Sequence, residues 1–215
     1  MSRRYDCADA GDRVTGLREA ASAIRRGELV VMPTDTVYGI AADAFNADAV
    51  AGLFAAKGRG RHMPSPVLVG SPTTLHGLVT DFSEQAWELV DAFWPGGLTL
   101  VARHQPSLRW DLGETRGTVA VRMPLHPVAI ELLNTTGPLA VSSANKSGQP
   151  APADCEDAEY QLGDSVAVYL DGGRTEHGQA SSIVDVTGKT PVLLRAGAVS
   201  VEQLREVVPD LEAGS

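Results

Sequence analysis

Pro33-Thr34-Asp35-Thr36-Val37-Tyr38-Gly39 interrupts the apolar run Leu29-Val30-Val31-Met32 and leads into Ile40-Ala41-Ala42-Asp43-Ala44. Proline lacks a backbone donor and cannot extend the ladder of a central strand, so the strand over 28–32 is expected to end here. Thr, Asp, Thr and Tyr then supply donors and acceptors within a few residues and turn the strand's end into a polar rim. Ligands of open α/β sheets sit at such strand ends. Taken alone, a polar turn more often satisfies only its own backbone. The rest of the chain shifts that balance.

Working outward, Val14, Leu17, Ala21 and Ile24 recur at helical spacing before the strand, and Gly27 after Arg25-Arg26 is a fitting stop, so a helix is expected from about Asp12 to Arg26. After the rim, Asn46 reads as the cap of a helix that ends at Lys57-Gly58-Arg59. Ser71-Pro72 and Ser83 open two further helices, a short one starts at His126, Asp154 caps an acidic one through Tyr160, and Ser200 to Gln203 reads as a capping box. Short apolar or alternating runs at 66–69, 98–102, 118–122, 138–141, 166–170, 182–186 and 192–195 complete a sheet of about seven strands. Helices interleaved with strands over the whole length indicate an α/β fold. Along 118–122 the period of two puts Thr118, Ala120 and Arg122 on one face. The run 138–141 ends, like the first, in a polar cluster, Ser142-Ser143-Ala144-Asn145-Lys146-Ser147-Gly148.

The totals narrow the function. A chain of 215 residues with 43% hydrophobic and 21% charged residues has ordinary globular composition and room for one sizeable core. Its net charge of −9 argues against a surface that holds RNA or DNA by bulk charge, leaving a local basic pocket open. Cys7 and Cys155 have no metal-ligand spacing and read as unpaired thiols of a reducing compartment. Neither a bilayer-length apolar run nor a signal peptide is evident, so a cytoplasmic protein without membrane contact is expected.

No phosphate-binding Gly-x-x-x-x-Gly-Lys loop, nucleophile elbow or zinc helix is present, and the five histidines, His62, His76, His104, His126 and His177, are scattered. What recurs is a hydroxyl or amide cluster beside single cations: Thr34 to Tyr38, Lys57 with Arg59, Thr118 with Arg122, Ser142 to Asn145, Ser181 with Ser182, and Arg195. This inventory suits holding anions. Phosphoryl and nucleotidyl transfer need mainly positioning and charge neutralisation, so such a set can be catalytic without an obvious nucleophile.

These segments together resemble the YrdC/Sua5 family of L-threonylcarbamoyladenylate synthases. The resemblance is carried by 33–39, Phe54 to Arg59, Phe93 to Gly96, Thr118 to Pro124, Ser143 to Gly148, Ser182 to Asp185 and Leu194 to Gly197, in order and at family spacing. It implies a twisted, mixed open sheet flanked by helices around a deep concave cavity, in one domain over 1–215 with its core at about 12–197 and a short helix and tail over 198–215. It also implies formation of threonylcarbamoyl-AMP and pyrophosphate from L-threonine, bicarbonate or CO2, and ATP with Mg2+, the first step towards N6-threonylcarbamoyladenosine at tRNA position 37. The threonine amine would add to CO2, and the carbamate oxygen would then attack the α-phosphorus. By the same resemblance, Thr36, Arg122 and Ser182 contact threonine, and Arg59, Thr118, Asn145 and Arg195 contact ATP. Lys57 and Ser143 lie between the two groups, Lys57 and Arg59 carry the catalytic roles, and no residue is assigned to the metal. The partners implied are the substrates, a downstream tRNA threonylcarbamoyl transferase complex and a weak contact with tRNA.

The chain departs from the family pattern in the glycine-rich, basic segment 57–66, the expected lid, where Gly60 and Met63 replace usual residues, and just beyond it, where Leu68 takes the place of a histidine. A second loop, 171–180, is also placed to fold over a ligand. The chain ends soon after Arg195, as in the single-domain form of the family rather than the longer Sua5 proteins. Two other readings compete: a noncatalytic RNA-binding protein of the same fold, which the acidic total disfavours, and a carbamoyl-adenylate enzyme like those of hydrogenase maturation, whose zinc-finger-like cysteines are missing here.

Overall fold

The computed structural model describes residues 3–175 and 178–214, so His177 and part of the second expected loop fall outside the described residues. In chain order the elements are β1 (Arg3–Asp6), α1 (Ala10–Arg25), β2 (Val30–Met32), β3 (Gly39–Asp43), α2 (Ala47–Lys57), β4 (Val67–Leu68), α3 (Leu75–Leu78), β5 (Val79–Thr80), α4 (Glu84–Phe93), β6 (Leu98–His104), β7 (Thr118–Arg122), α5 (Pro127–Thr136), β8 (Leu139–Ser143), α6 (Cys155–Leu162), β9 (Val168–Asp171), β10 (Ser182–Asp185), β11 (Val192–Arg195), α7 (Val201–Val207) and β12 (Glu212–Ala213). One sheet takes in all of these strands in the order β1-β9-β2-β3-β8-β4-β7-β6-β10-β11-β12, with β5 attached to β6. It is mixed: along β2, β3, β8 and β4 each strand is antiparallel to the next, whereas β7 runs parallel to β4 and β10 parallel to β6.

The α/β class holds, but the sheet has 12 strands rather than about seven. The additional strands lack a strong sequence signal. β1 is a charged, largely exposed edge strand, β5 and β12 are two residues each, and β3 consists of glycine, alanines, one isoleucine and an aspartate. β3 became a strand because its neighbours β2 and β8 pair with it on both sides, and tertiary pairing of this kind overrides weak local propensity. The helix starts were more legible. Asn46, Ser83 and Asp154 each accept a backbone N–H three residues on, and Ser200 with Gln203 forms the full capping box. α1 begins two residues ahead of expectation because Asp9, not a later residue, caps it.

The two faces of the sheet are covered unequally. Val31, Ile40, Val67, Leu98, Leu100, Val119, Val121 and Val184 point into a core completed by α2, α4, α6 and α7. On the other face, Val30, Met32, Ala41, Leu68, Leu139 and Val141 pack under α1 and α5. These two helices do not reach β6, β7 and β10. There, Thr99, Val101, Ala120, Arg122 and Ile183, which alternate with the core residues, line an open hollow instead. No described helix is long and apolar enough to cross a membrane.

Candidate functional site

The hollow has a volume of about 410 Å³, in the range of small-molecule sites. Its floor is the bare sheet face. Its walls are the 34–39 rim that follows β2, Arg59 with Pro64 and Pro66, the end of β8 at Val141, Ser142 and Ser143, and Ala180, Ser181, Leu194 and Arg195. The two polar strand ends singled out in the sequence are therefore neighbours, brought together by the β3–β8 pairing of Gly39 with Ser143.

Arg122 sits at the centre with 6% exposure. Its Nε donates to Gly96 O (2.8 Å), Nη1 to Thr36 Oγ1 (2.7 Å) and Nη2 to Asp35 Oδ1 (2.6 Å), which also accepts from Leu125 N at 2.8 Å. Burial pulls the guanidinium below its usual range, and Asp35 opposes that pull. Three of its five N–H groups are thus committed, and two remain for a ligand.

Arg59 lies across the hollow, with Nε donating to Met63 O (2.8 Å), Nη2 to Pro64 O (3.1 Å) and Nη1 to Ser142 Oγ (2.8 Å). Arg195 donates through Nε and Nη2 to Ser181 O, at 3.0 and 2.7 Å, and Ser181 Oγ shares a 2.8 Å hydrogen bond with Thr99 Oγ1. Gly197 is needed beside this group, because a Cβ there would lie 2.6 Å from the Ser181 carbonyl oxygen. Burial lowers both guanidinium pKa values. Neither arginine takes part in a salt bridge among the described residues, whereas Arg122 does. Two cations facing only neutral oxygens, with no carboxylate among the lining residues, make the hollow receptive to anions.

The other expected residues are placed less directly. Ser143 lines the hollow. Lys57 is 2% exposed and lies behind the wall, its Nζ donating to Ser143 O and, at 2.6 Å, to Asn145 O, while its own carbonyl accepts from Ser147 N. The lysine therefore clasps the end of β8 to the end of α2. Asn145 spends Nδ2 on Lys146 O and Gln149 O, and its Oδ1 is buried without a protein partner. Thr118 shares the face of Ala120 and Arg122 but lies outside the lining, its hydroxyl donating to Thr115 O. Ser182 shares the face of Val184, not of Ile183, and its hydroxyl is engaged by both the N–H and the carbonyl of Val199. Strand alternation explains this: residues one step from the core positions, Ser181 and Ile183, are the ones that face the hollow. Thr99, which no motif marked, follows from the same alternation against Leu98 and Leu100.

The expected lid is tied to the loop between β6 and β7. Ser65 N donates to Leu112 O, Glu114 N to Arg61 O, both at 2.9 Å, and Arg61 pairs with Asp111 at 2.6 Å. Leu68 packs under α5 and also contributes to the lining.

Lys57 gives the site a pH signature. Burial, followed by the nearby charge of Arg59, lowers its pKa from 10.5 to about 8. The unfolded chain therefore binds more protons than the folded one between about pH 8 and 10.5, so this lysine's contribution to stability rises with pH across that window. The difference in Tm between the wild type and Lys57→Met is expected to shift in favour of the wild type as pH rises from 7 to 10. A difference that stays constant would show that the ammonium is not held down by burial.

The family model described as "Telomere recombination", covering Sua5, YciO and YrdC, matches residues 22–197. A Mycobacterium tuberculosis relative, provisionally named a threonylcarbamoyl-AMP synthase, is 60% identical over 208 residues, 97% of this chain and 96% of the relative. The threonylcarbamoyl-AMP synthase of Bacillus subtilis is 39% identical over 194 residues, 89% of this chain and 56% of that protein. The crystal structure of Pyrococcus abyssi Sua5 complexed with L-threonine superposes with a TM-score of 0.92 at 34% identity, covering 100% of this chain and 62% of the other.

Proposed function

Because the chain belongs to the Sua5, YciO and YrdC family, we propose that it forms threonylcarbamoyl-AMP and pyrophosphate from L-threonine, bicarbonate or CO2, and ATP. The observation that carries this reading is the convergence of Arg59, Arg122, Arg195, Thr36 and Ser143 on one hollow, from segments far apart in the chain. Arg122, with two N–H groups uncommitted, takes the threonine carboxylate in a forked pair, and Thr36 holds a second polar group of the amino acid. Arg59 and Arg195 face the triphosphate. The threonine nitrogen adds to the carbon of CO2 and loses a proton, and the resulting carbamate oxygen then attacks the α-phosphorus. The bond from that phosphorus to the bridging oxygen breaks, and pyrophosphate leaves with the electron pair.

In this reading Mg2+ enters with ATP as part of the substrate, where it neutralises phosphate charge. The lining offers hydroxyls and guanidinium groups but no carboxylate, which favours a metal held by phosphate oxygens over one held by the chain. Lys57 and Asn145 act from behind the wall by fixing the end of β8, whereas Thr118 lies outside the lining and Ser182 is turned to the core face against Val199. The product would pass in the cytoplasm to a tRNA-modifying transferase, with at most weak tRNA contact by this acidic chain. Incubation of the purified protein with MgATP, bicarbonate and each amino acid in turn tests the reading. Pyrophosphate release should require bicarbonate and be greatest with threonine. Release that is indifferent to the amino acid would defeat it.

A further inference from the structure

The rim that opens the site contains a hydrogen-bond chain whose direction is fixed at both ends. Thr34 and Thr36 are 4% and 2% exposed, and their hydroxyl oxygens lie 3.1 Å apart. At one end, Arg122 Nη1 sits 2.7 Å from Thr36 Oγ1 and can only donate. At the other, Thr34 Oγ1 lies 2.6 Å from the carbonyl oxygen of Val37, which can only accept, so the single proton of Thr34 is spent there. The contact between the two hydroxyls is then a hydrogen bond only if Thr36 is its donor. Backbone N–H groups of Thr36 and Val37, each at a longer 3.2 Å from Thr34 Oγ1, share one of its two lone pairs and keep the turn in place, which leaves the other lone pair for the Thr36 hydroxyl proton.

We propose that Thr34 is a positioning residue for the amino-acid substrate: by taking the Thr36 hydroxyl proton, it turns Thr36 Oγ1 into a pure acceptor towards the hollow. Such an acceptor matches the substrate's amine or ammonium N–H, whereas the remaining N–H groups of Arg122 match its carboxylate. One short turn and one arginine thus read the two ends of an α-amino acid by opposite hydrogen-bond polarity. Without Thr34 as acceptor, the Thr36 proton is free to turn towards the hollow and oppose the amine. This inference rests on the proposed amino-acid substrate but concerns binding, which can be measured without turnover.

The test compares L-threonine with (R)-3-hydroxybutanoate, which is threonine without its amine, by NMR titration of wild-type protein, Thr34→Val and Thr34→Ser. Thr34→Val should weaken L-threonine by about tenfold, the loss of roughly one hydrogen bond, and leave the hydroxy acid within about twofold. Thr34→Ser should restore the threonine affinity. Equal weakening of both ligands would mean that Thr34 only holds the turn together, and no weakening of either would mean that it orients nothing; both results overturn the proposal. Should Thr34→Val fail to fold, the wild type decides, because the Thr36 hydroxyl proton should exchange slowly and show an NOE to the Thr34 side chain, and its absence overturns the proposal. Wild-type protein that binds threonine with this polarity but releases no pyrophosphate would defeat the proposed reaction and leave the inference standing. Wild-type protein that does not bind threonine overturns the inference.

Discussion

Replacing Arg122 with methionine is expected to lower kcat/KM for threonine by about a hundred- to a thousandfold, because truncating one partner of a buried, hydrogen-bonded charge pair costs about 2–5 kcal/mol, much the same whether read in binding or in turnover. The same change has a stability effect that must be separated from it. Asp35 would lose its cation while remaining largely enclosed, its Oδ1 left with only the Leu125 N–H. An unpaired buried charge of this kind destabilises by about 3–5 kcal/mol. The double variant Arg122→Met with Asp35→Asn removes both charges and should recover much of the lost Tm, yet recover none of the threonine kinetics. Measuring both variants by thermal unfolding and by pyrophosphate release at varied threonine distinguishes the roles. Threonine kinetics that return together with Tm would mean that Arg122 serves the fold alone.

The parts of the site that were legible in the sequence are those governed by local chemistry. A proline after β2 and a run of hydroxyls marked the first rim, and caps such as Asn46 with Gly58 fixed α2 at both ends, so that Arg59 was placed just past a helix terminus where the structure has it. Residues whose direction depends on a neighbouring layer were harder to read. Lys57 and Arg59 are two residues apart across a left-handed glycine, and nothing local says that the first turns inward to the carbonyls of Ser143 and Asn145 while the second reaches the hollow. Only the approach of β8 to the end of α2 decides it.

Ser181 and Ser182 show the complementary case. Both hydroxyls were visible as a pair, and the period of two would have separated them once Val184 was assigned to the core face. The resemblance favoured Ser182, whereas the fold directs Ser181 to the hollow and engages Ser182 with Val199. The dimension least visible in the sequence was the unequal covering of the sheet. It depends on where α1 and α5 stop short, and that follows from the strand order, in which β6, β7 and β10 lie beyond their reach.

Arg59→Ala is expected to reduce kcat/KM for MgATP by about a hundredfold, the usual cost of removing a preorganised charged donor from a reacting phosphate or oxyanion, about 2.7–4 kcal/mol. The guanidinium is already held in place for a phosphate, since Ser142 Oγ and the carbonyls of Met63 and Pro64 fix its plane and no carboxylate among the described salt bridges competes for it. Burial lowers its pKa, so the charge is costly to keep there without a counter-ion and gains from an arriving phosphate. Removing it leaves only neutral oxygens to be resatisfied, two of them on the partly exposed 57–66 segment, so the loss in Tm should be small compared with that of Arg122→Met. Arg59→Lys should recover little, because one ammonium cannot span Ser142 and the two carbonyls while also meeting a phosphate. Binding of L-threonine without ATP should stay within about twofold of wild type, since Arg122 and Thr36 are untouched. If ATP kinetics were unchanged in Arg59→Ala, the triphosphate would have to be held elsewhere in the hollow, with Arg195 left as the cation without a carboxylate partner.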